Sequence, residues 1–92
     1  MNNLTLVDLF LNEYWIEKGL SENTVQSYRL DLTALCDWLD KQNLSLETLE
    51  PLDLQQFLGS RLEQGYKATS TARMLSAMRK LFQYLYREKY RT

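Results

Sequence analysis

The side chains with chemistry to offer are gathered at one end of this chain. The stretch "GYKATSTARMLSAMRKLFQYLYREKYR", residues 65–91, carries seven Lys or Arg against one Glu. Thr69, Ser70 and Ser76 stand among them. Cations interleaved with short hydroxyl donors are the residue types that hold phosphate oxygens, especially near a helix N-terminus. The 92-residue chain has a net charge of −1 and a pI near 5.4, so its total charge hides this excess. Residues 1–65 hold four basic and eleven acidic side chains, net −7, whereas residues 66–92 hold seven and one, net +6. A positive pole on an otherwise acidic domain is the electrostatic footprint of nucleic-acid binding.

Most other chemistry is excluded by what is missing. There is no histidine, which removes the commonest general base and metal ligand, and one cysteine cannot make a zinc site. No Gly-rich phosphate loop or nucleophile elbow occurs. The carboxylate pairs Asp37/Asp40 and Glu47/Glu50 lie on solvent-like segments and read as solvated surface. The sequence therefore offers no catalytic residue, no metal site and no cofactor site. The lone Cys36 rules out an internal disulfide, reads as a small core hydrophobe and fits a reducing cytoplasm. No apolar run approaches a membrane span, and the N-terminus lacks a signal pattern.

The elements that must position the basic stretch are helices. Hydrophobic residues make up 45% of the chain, enough for one small core, while three Gly and one Pro leave helix as the favoured state. The first helix is expected to be N-capped by Thr5 and to run to about Lys18, with Gly19 as its left-handed stop. Its inward face is Leu6, Leu9, Phe10, Glu13 and Tyr14, leaving Val7, Leu11 and Ile16 outside. Ser21 caps the second helix, with Leu20 and Val25 as a hydrophobic staple. Val25, Tyr28, Leu32, Leu35 and Leu39 form its core stripe, flanked by Trp38. Residues 40–51 read as a loop, and Pro51 suits the first turn of a third helix. There Leu54, Phe57, Leu58 and Leu62 face inward before Gly65 ends the helix.

The fourth helix is expected to be capped by Thr69 or Ser70 and to continue to about Glu88. With Arg73 at zero, Leu75, Met78, Phe82 and Leu85 cluster near roughly 150°. Thr69, Arg73, Ser76, Lys80, Gln83 and Arg87 cluster near roughly 320°. The spacing thus predicts a core face through Phe82 and an opposing, solvent-facing basic ridge through Arg73. The ridge lacks the Glu partners at i±4 that solvated helices carry. Ala72 and Ala77 leave room for a groove to approach. A membrane-surface or calmodulin-binding helix would need its apolar face exposed, and the core requires that face. Nucleic acid is the partner these residues fit.

Two segments resemble the N-terminal core-binding domain of tyrosine recombinases, the phage-integrase family. "WIEKGLSENTVQSYRLDL", residues 15–32, matches that family's Leu-Ser-x-x-Thr-x-x-x-Tyr-x-x-Asp-Leu pattern. "RLEQGYKATSTARMLSAMRKLFQYLYREKYR", residues 61–91, is similar to the bacterial Xer branch. The wording "GYKATS" and "LFQYLYREK" sets it apart from XerC, one of the two sister Xer proteins. The resemblance implies an all-α, four-helix, SAM-like bundle spanning residues 1–92. It also implies a larger catalytic domain, absent from this chain, whose tyrosine attacks a phosphodiester without metal or nucleotide cofactor. The implied partners are double-stranded DNA with a dif-type recombination site, a XerC-like recombinase in a heterotetramer, and an FtsK-like translocase.

The resemblance also assigns the DNA-facing residues: Asn23, Thr24, Gln26, Ser27 and Arg29 on the second helix, and Thr69, Ser70, Arg73, Ser76 and Lys80 on the fourth; the basic side chains Lys67 and Arg87 are expected to join them. Arg73 and Gln26 have the chemistry to read base edges, although an ordinary exposed glutamine remains an equal reading of Gln26. Trp15 and Trp38 are expected in the core or at a domain contact. Tyr28 reads as packing, and Tyr84, Tyr86 and Tyr90 flank the fourth helix's core, so none of these is a nucleophile. The competing reading is a helical protein-interaction module that joins protomers through Val7, Leu11 and Ile16 without touching DNA itself.

Overall fold

The computed structural model describes residues 2–91, and the elements follow the punctuation of the sequence closely. Helices α1 (Asn3–Lys18), α2 (Glu22–Lys41), α3 (Pro51–Glu63) and α4 (Ala68–Arg87) account for the regular structure, with no strand among the described residues. None of these helices is long and apolar enough to cross a membrane. Gly19 adopts the left-handed conformation at φ 60° and returns its N–H to the Trp15 carbonyl, closing α1. The Ser21 hydroxyl accepts from the Thr24 amide to open α2. Pro51 occupies the first turn of α3, where its missing N–H costs nothing, and the Asp53 carboxylate accepts from the Glu50 amide.

Two helix starts differ from the expectation. Asn2, not Thr5, caps α1: its side chain accepts from the Thr5 amide at 2.8 Å, placing Thr5 inside the first turn. The earlier start brings Asn3 inward, where its amide donates to Asp40 Oδ1 and the Leu44 carbonyl and accepts from the Leu46 amide. That single buried amide ties α1 to the connection between α2 and α3. Helix α4 likewise starts ahead of Thr69 and Ser70, because the Thr71 amide already bonds the Lys67 carbonyl. Lys67 takes the cap position and supplies no side-chain acceptor, so the first-turn amides of α4 stay uncapped.

The core stripe of α2 is as expected, with Val25, Leu32, Leu35, Cys36 and Leu39 buried and Tyr28 and Trp38 partly so. The other three helices are rotated or trimmed. In α1, Val7 and Leu11 are fully buried, whereas Leu9 faces solvent and Ile16 is 82% exposed. Apolar residues occur all round α1, so periodicity could not choose among its faces. Trp15 is also exposed rather than in the core. In α3, Leu62 points outward and Arg61 is buried in its place. The loop contributes Leu46 and Leu49 to the core.

Helix α4 is the most consequential correction. Met74, Ala77, Met78, Leu81, Tyr84 and Leu85 are buried; Leu75 is exposed and Phe82 only half-buried. The buried arc centres near roughly 80° from Arg73 instead of the expected 150°. Because α4 packs against all three other helices, its inner face must be wide, and Ala77 permits the close approach. Phe82 lies instead beneath Arg91, whose guanidinium sits 5.4 Å from the ring centroid and donates to the Leu46 and Leu49 carbonyls.

The rotation yields a direct prediction. Leu81→Ala should cost about 2–5 kcal/mol by cavity formation, whereas Leu75→Ala should stay under about 1 kcal/mol. Equal losses in urea unfolding would restore the facing that periodicity predicts. A second prediction concerns alkali. Burial, with Asp40 and Asp37 nearby, pushes the Cys36 thiol up from 9.0 to about 12, and burial does the same to Tyr84, from 10.0 to about 12. Both groups are neutral when folded, so their contribution is intact below pH 9 and is lost as pH rises toward 12. Stability measured across that window should fall, and a flat profile would contradict the burial of both groups.

Candidate nucleic-acid interface

Because α4 is rotated, its basic ridge lies not opposite the core but along the seam with α2. Arg73 reaches across that seam to Asp31, with Nε 2.8 Å from Oδ2 and an Nη 3.0 Å from Oδ1. Asp31 is only 4% exposed, and burying a carboxylate is costly unless it is paired and hydrogen-bonded. Arg73 satisfies it with a two-pronged grip, and these hydrogen bonds, followed by the charge of Asp31, raise the guanidinium pKa further. Arg73 is therefore not the ordinary solvent-facing residue expected from spacing. Two of its five N–H donors are spent on Asp31, and the others remain on its exposed edge.

Lys80 sits two turns further along. Its Nζ is 3.1 Å from the Tyr28 hydroxyl and 2.9 Å from Ser76 Oγ, and lies 5.4 Å from the Tyr28 ring centroid. All these partners are neutral, so they hold the ammonium without cancelling its charge. Tyr28 and Asp31 are the Tyr and Asp of the quoted motif, and each receives one cation of the ridge. Ser21 and Thr24 supply the motif's cap, their hydroxyls 2.9 Å apart. Thr24 and Ser27 are half-buried on the flank of α2 that carries Asp31, with Asn23 exposed beside them. At the other end of the seam, Lys67 and Thr69 are exposed and Ser70 is half-buried in the uncapped first turn of α4.

Three expected residues are not brought to this seam. Arg29 lies roughly 160° round α2 from Asp31 and pairs with Asp8 of α1. Gln26 is exposed but lies roughly 140° round from Asp31. Arg87 turns toward α1, donating to Glu13 at 2.8 Å with Glu17 at 3.5 Å and Glu88 at 3.6 Å. Desolvation raises the Glu13 pKa; Arg87 opposes this, while Glu88 and Glu17 add to it. This acidic neighbourhood neutralises the Arg87 end of the ridge, beside a cleft of about 390 Å³ lined by Phe10, Tyr14 and Tyr84. Spacing also missed Asp31. The signal available was a carboxylate one position before a core leucine, which demanded a cation from another element.

The pairing predicts a stability effect where a surface arginine would give none. Arg73→Ala should cost about 1–2 kcal/mol: a buried acceptor is stranded, and the loss is reduced because the guanidinium is half exposed. A double-mutant cycle with Asp31→Asn should recover most of this loss as coupling. Additive losses in that cycle would show that the pair contributes nothing.

Comparison with known proteins agrees with this architecture. Residues 7–89 match the family described as "Phage integrase, N-terminal SAM-like domain". The chain is 88% identical over 91 residues to tyrosine recombinase XerD of Haemophilus influenzae, covering 99% of this chain and 31% of that protein. It is 73% identical over 92 residues to XerD of Pasteurella multocida, covering 100% and 31%, and 60% identical over 86 residues to XerD of Yersinia pestis, covering 94% and 29%. The chain thus spans about a third of the length of these curated relatives. With its four helices in place and the family match running through all of them, the chain belongs to the phage-integrase family of tyrosine recombinases, as an N-terminal SAM-like domain.

Proposed function

We propose that this chain binds double-stranded DNA through the α2–α4 seam, as the core-binding domain of a XerD-like site-specific recombinase. The observation that carries the reading is the row of Arg73, Ser76 and Lys80, held in place by Asp31 and Tyr28. From Lys67 to Lys80 the seam runs 13 residues of helix, about 20 Å, against a major groove about 12 Å wide. Its two ends suit the phosphate backbones that flank a groove, and Arg73, midway, suits the base edges. Lys80 is a point charge for phosphate, whereas the free edge of Arg73 retains donors for a guanine. Lys67, Thr69, Ser70 and the uncapped amides of α4 suit a second phosphate. Thr24, Ser27 and Asn23 line the α2 side. Gln26 and Arg29 would meet DNA only beyond this seam, and Arg87 only after leaving Glu13.

In the longer protein this binding would place DNA before a catalytic domain that cuts and rejoins a dif-type site. That reading includes a XerC-like partner and an FtsK-like translocase acting in the cytoplasm, with chromosome dimers as the substrate. Strand cleavage would belong to that second domain and not to residues 1–92. A second reading, contact between protomers, rests on the exposure of Ile16 beside Leu9 on the outer face of α1. The two surfaces lie on different helices and are compatible.

The test is fluorescence anisotropy of the 92-residue chain on a half-site duplex and a scrambled duplex across a salt series. Lys80→Ala should weaken both complexes about equally and reduce the salt slope by about 1. Arg73→Ala should cost about 1–3 kcal/mol on the specific duplex and much less on the scrambled one. If neither variant alters affinity or slope, the seam is not the DNA contact. On a nicked suicide substrate the chain should form no covalent adduct, and an adduct at any tyrosine would overturn the division of labour.

A further inference from the structure

At the α3 end of the seam lies a second cationic feature that the DNA reading above does not use. Arg61 is only 6% exposed, yet among the described residues it forms no ion pair and no side-chain hydrogen bond, and its Nε is buried without a partner. Its guanidinium stacks on the Tyr66 ring at 4.0 Å and lies 5.9 Å from the Phe57 centroid. Contact with ring faces leaves the guanidinium's N–H donors without hydrogen-bond acceptors. That arrangement is held by the turn after α3, where the Tyr66 amide bonds the Arg61 carbonyl at 3.2 Å and Gly65 adopts φ 90°.

Arg61 lines a cleft of about 190 Å³ together with Asp37, Trp38 and Lys41 of α2 and Ser60 and Tyr66. The charged groups of the cleft are Arg61 and Lys41 against Asp37, an excess of one positive charge. Trp38 is seven residues from Asp31 and shares its flank of α2, while Ala34, Lys41 and Asp37 lie roughly 60–120° further round, so the cleft borders the flank that carries the Asp31–Arg73 pair. Lys67 and the uncapped amides of α4 follow Tyr66 directly in the chain. A buried cation with spare donors, next to the positive end of a helix, calls for an oxyanion.

We propose that this cleft is a phosphate-gripping site, in which Arg61 takes a phosphodiester oxygen of DNA at the end of the seam opposite Lys80. The inference rests on the DNA-binding reading above and adds to it a contact from α3. Tyr66 serves as the platform that fixes the guanidinium, and Lys41 balances Asp37. With Lys80 on one backbone and Arg61 on the other, the domain would straddle the groove and hold Arg73 between the two.

Two measurements on the 92-residue chain test this. First, inorganic phosphate is titrated at ionic strength held constant with chloride, following the arginine Nε–Hε resonances by NMR. The Arg61 resonance should shift and saturate. No shift, or a shift with acetate and none with phosphate, would overturn the site as a phosphate site. Second, Arg61→Gln and Arg61→Met are compared on the half-site and scrambled duplexes; methionine preserves the packing of the stem should glutamine disturb the fold. Either folded variant should bind both duplexes about tenfold more weakly, with the salt slope reduced by about 1. Unchanged affinity and slope in a folded variant, with DNA binding by the parent chain intact, would overturn this inference alone. Failure of the parent chain to bind any duplex would overturn the underlying reading and with it the DNA contact of Arg61.

Discussion

A carboxylate buried between two helices must be matched by a cation, and in this domain that requirement falls on Asp31 and Arg73. Asp31 cannot turn outward without taking Leu32 and Leu35 with it, because all three belong to one rigid helix. Arg73 must therefore come to Asp31, and this fixes the rotation of α4 about its own axis. Once Arg73 points across the seam, Met74, Leu81 and Leu85 face the core and Leu75 is turned out. Lys80, two turns on, lands on Tyr28. The polar pair and the apolar stripe thus specify the same packing from opposite sides of the helix. Agreement between independent local preferences of this kind favours a single native arrangement.

The same seam changes the meaning of the charge count. The last 27 residues carry seven cations, but they do not form one free positive surface. Arg87 is matched by Glu13 and Glu17, and Arg91 is spent on the Leu46 and Leu49 carbonyls. Arg29, from the acidic part of the chain, is matched by Asp8. The cations left to act outward are those held by neutral groups or by only some of their donors, with Lys80 and Arg73 foremost. Exposed Arg79, which has no ion pair among the described residues, adds field without a fixed geometry. A ligand approaching the seam meets donors already oriented, so less conformational entropy is lost on binding.

The family motif acquires a physical content from these contacts. Its Ser and Thr close the N-terminus of α2, its Tyr supports Lys80, and its Asp supports Arg73. Seen this way the motif residues are mostly supports, and the groups they support lie some forty to fifty residues later in the chain. The relatives named XerD match along nearly all of this segment, which makes up about a third of their own length.

Local chemistry decided what could be read without the fold. Gly19, Ser21 and Pro51 mark helix ends through backbone conformation and capping, properties of the residue and its nearest neighbours. The α2 stripe was legible because its apolar residues occupy one side only. The basic ridge was legible as a set of residues for the same reason of regular spacing. Its direction was not. Helix α1 is apolar all round, and α4 offers two overlapping apolar stripes, so only contact with the other helices could choose Val7 over Leu9 and Leu81 over Leu75. Partners separated by long stretches of chain, such as Asp31 with Arg73 and Arg87 with Glu13, leave no periodic trace. Nor did the sequence foretell Arg61, since an arginine is normally solvated and becomes buried only where a turn folds an aromatic ring over it. Spacing determines which residues share a helix face; only packing decides where that face points.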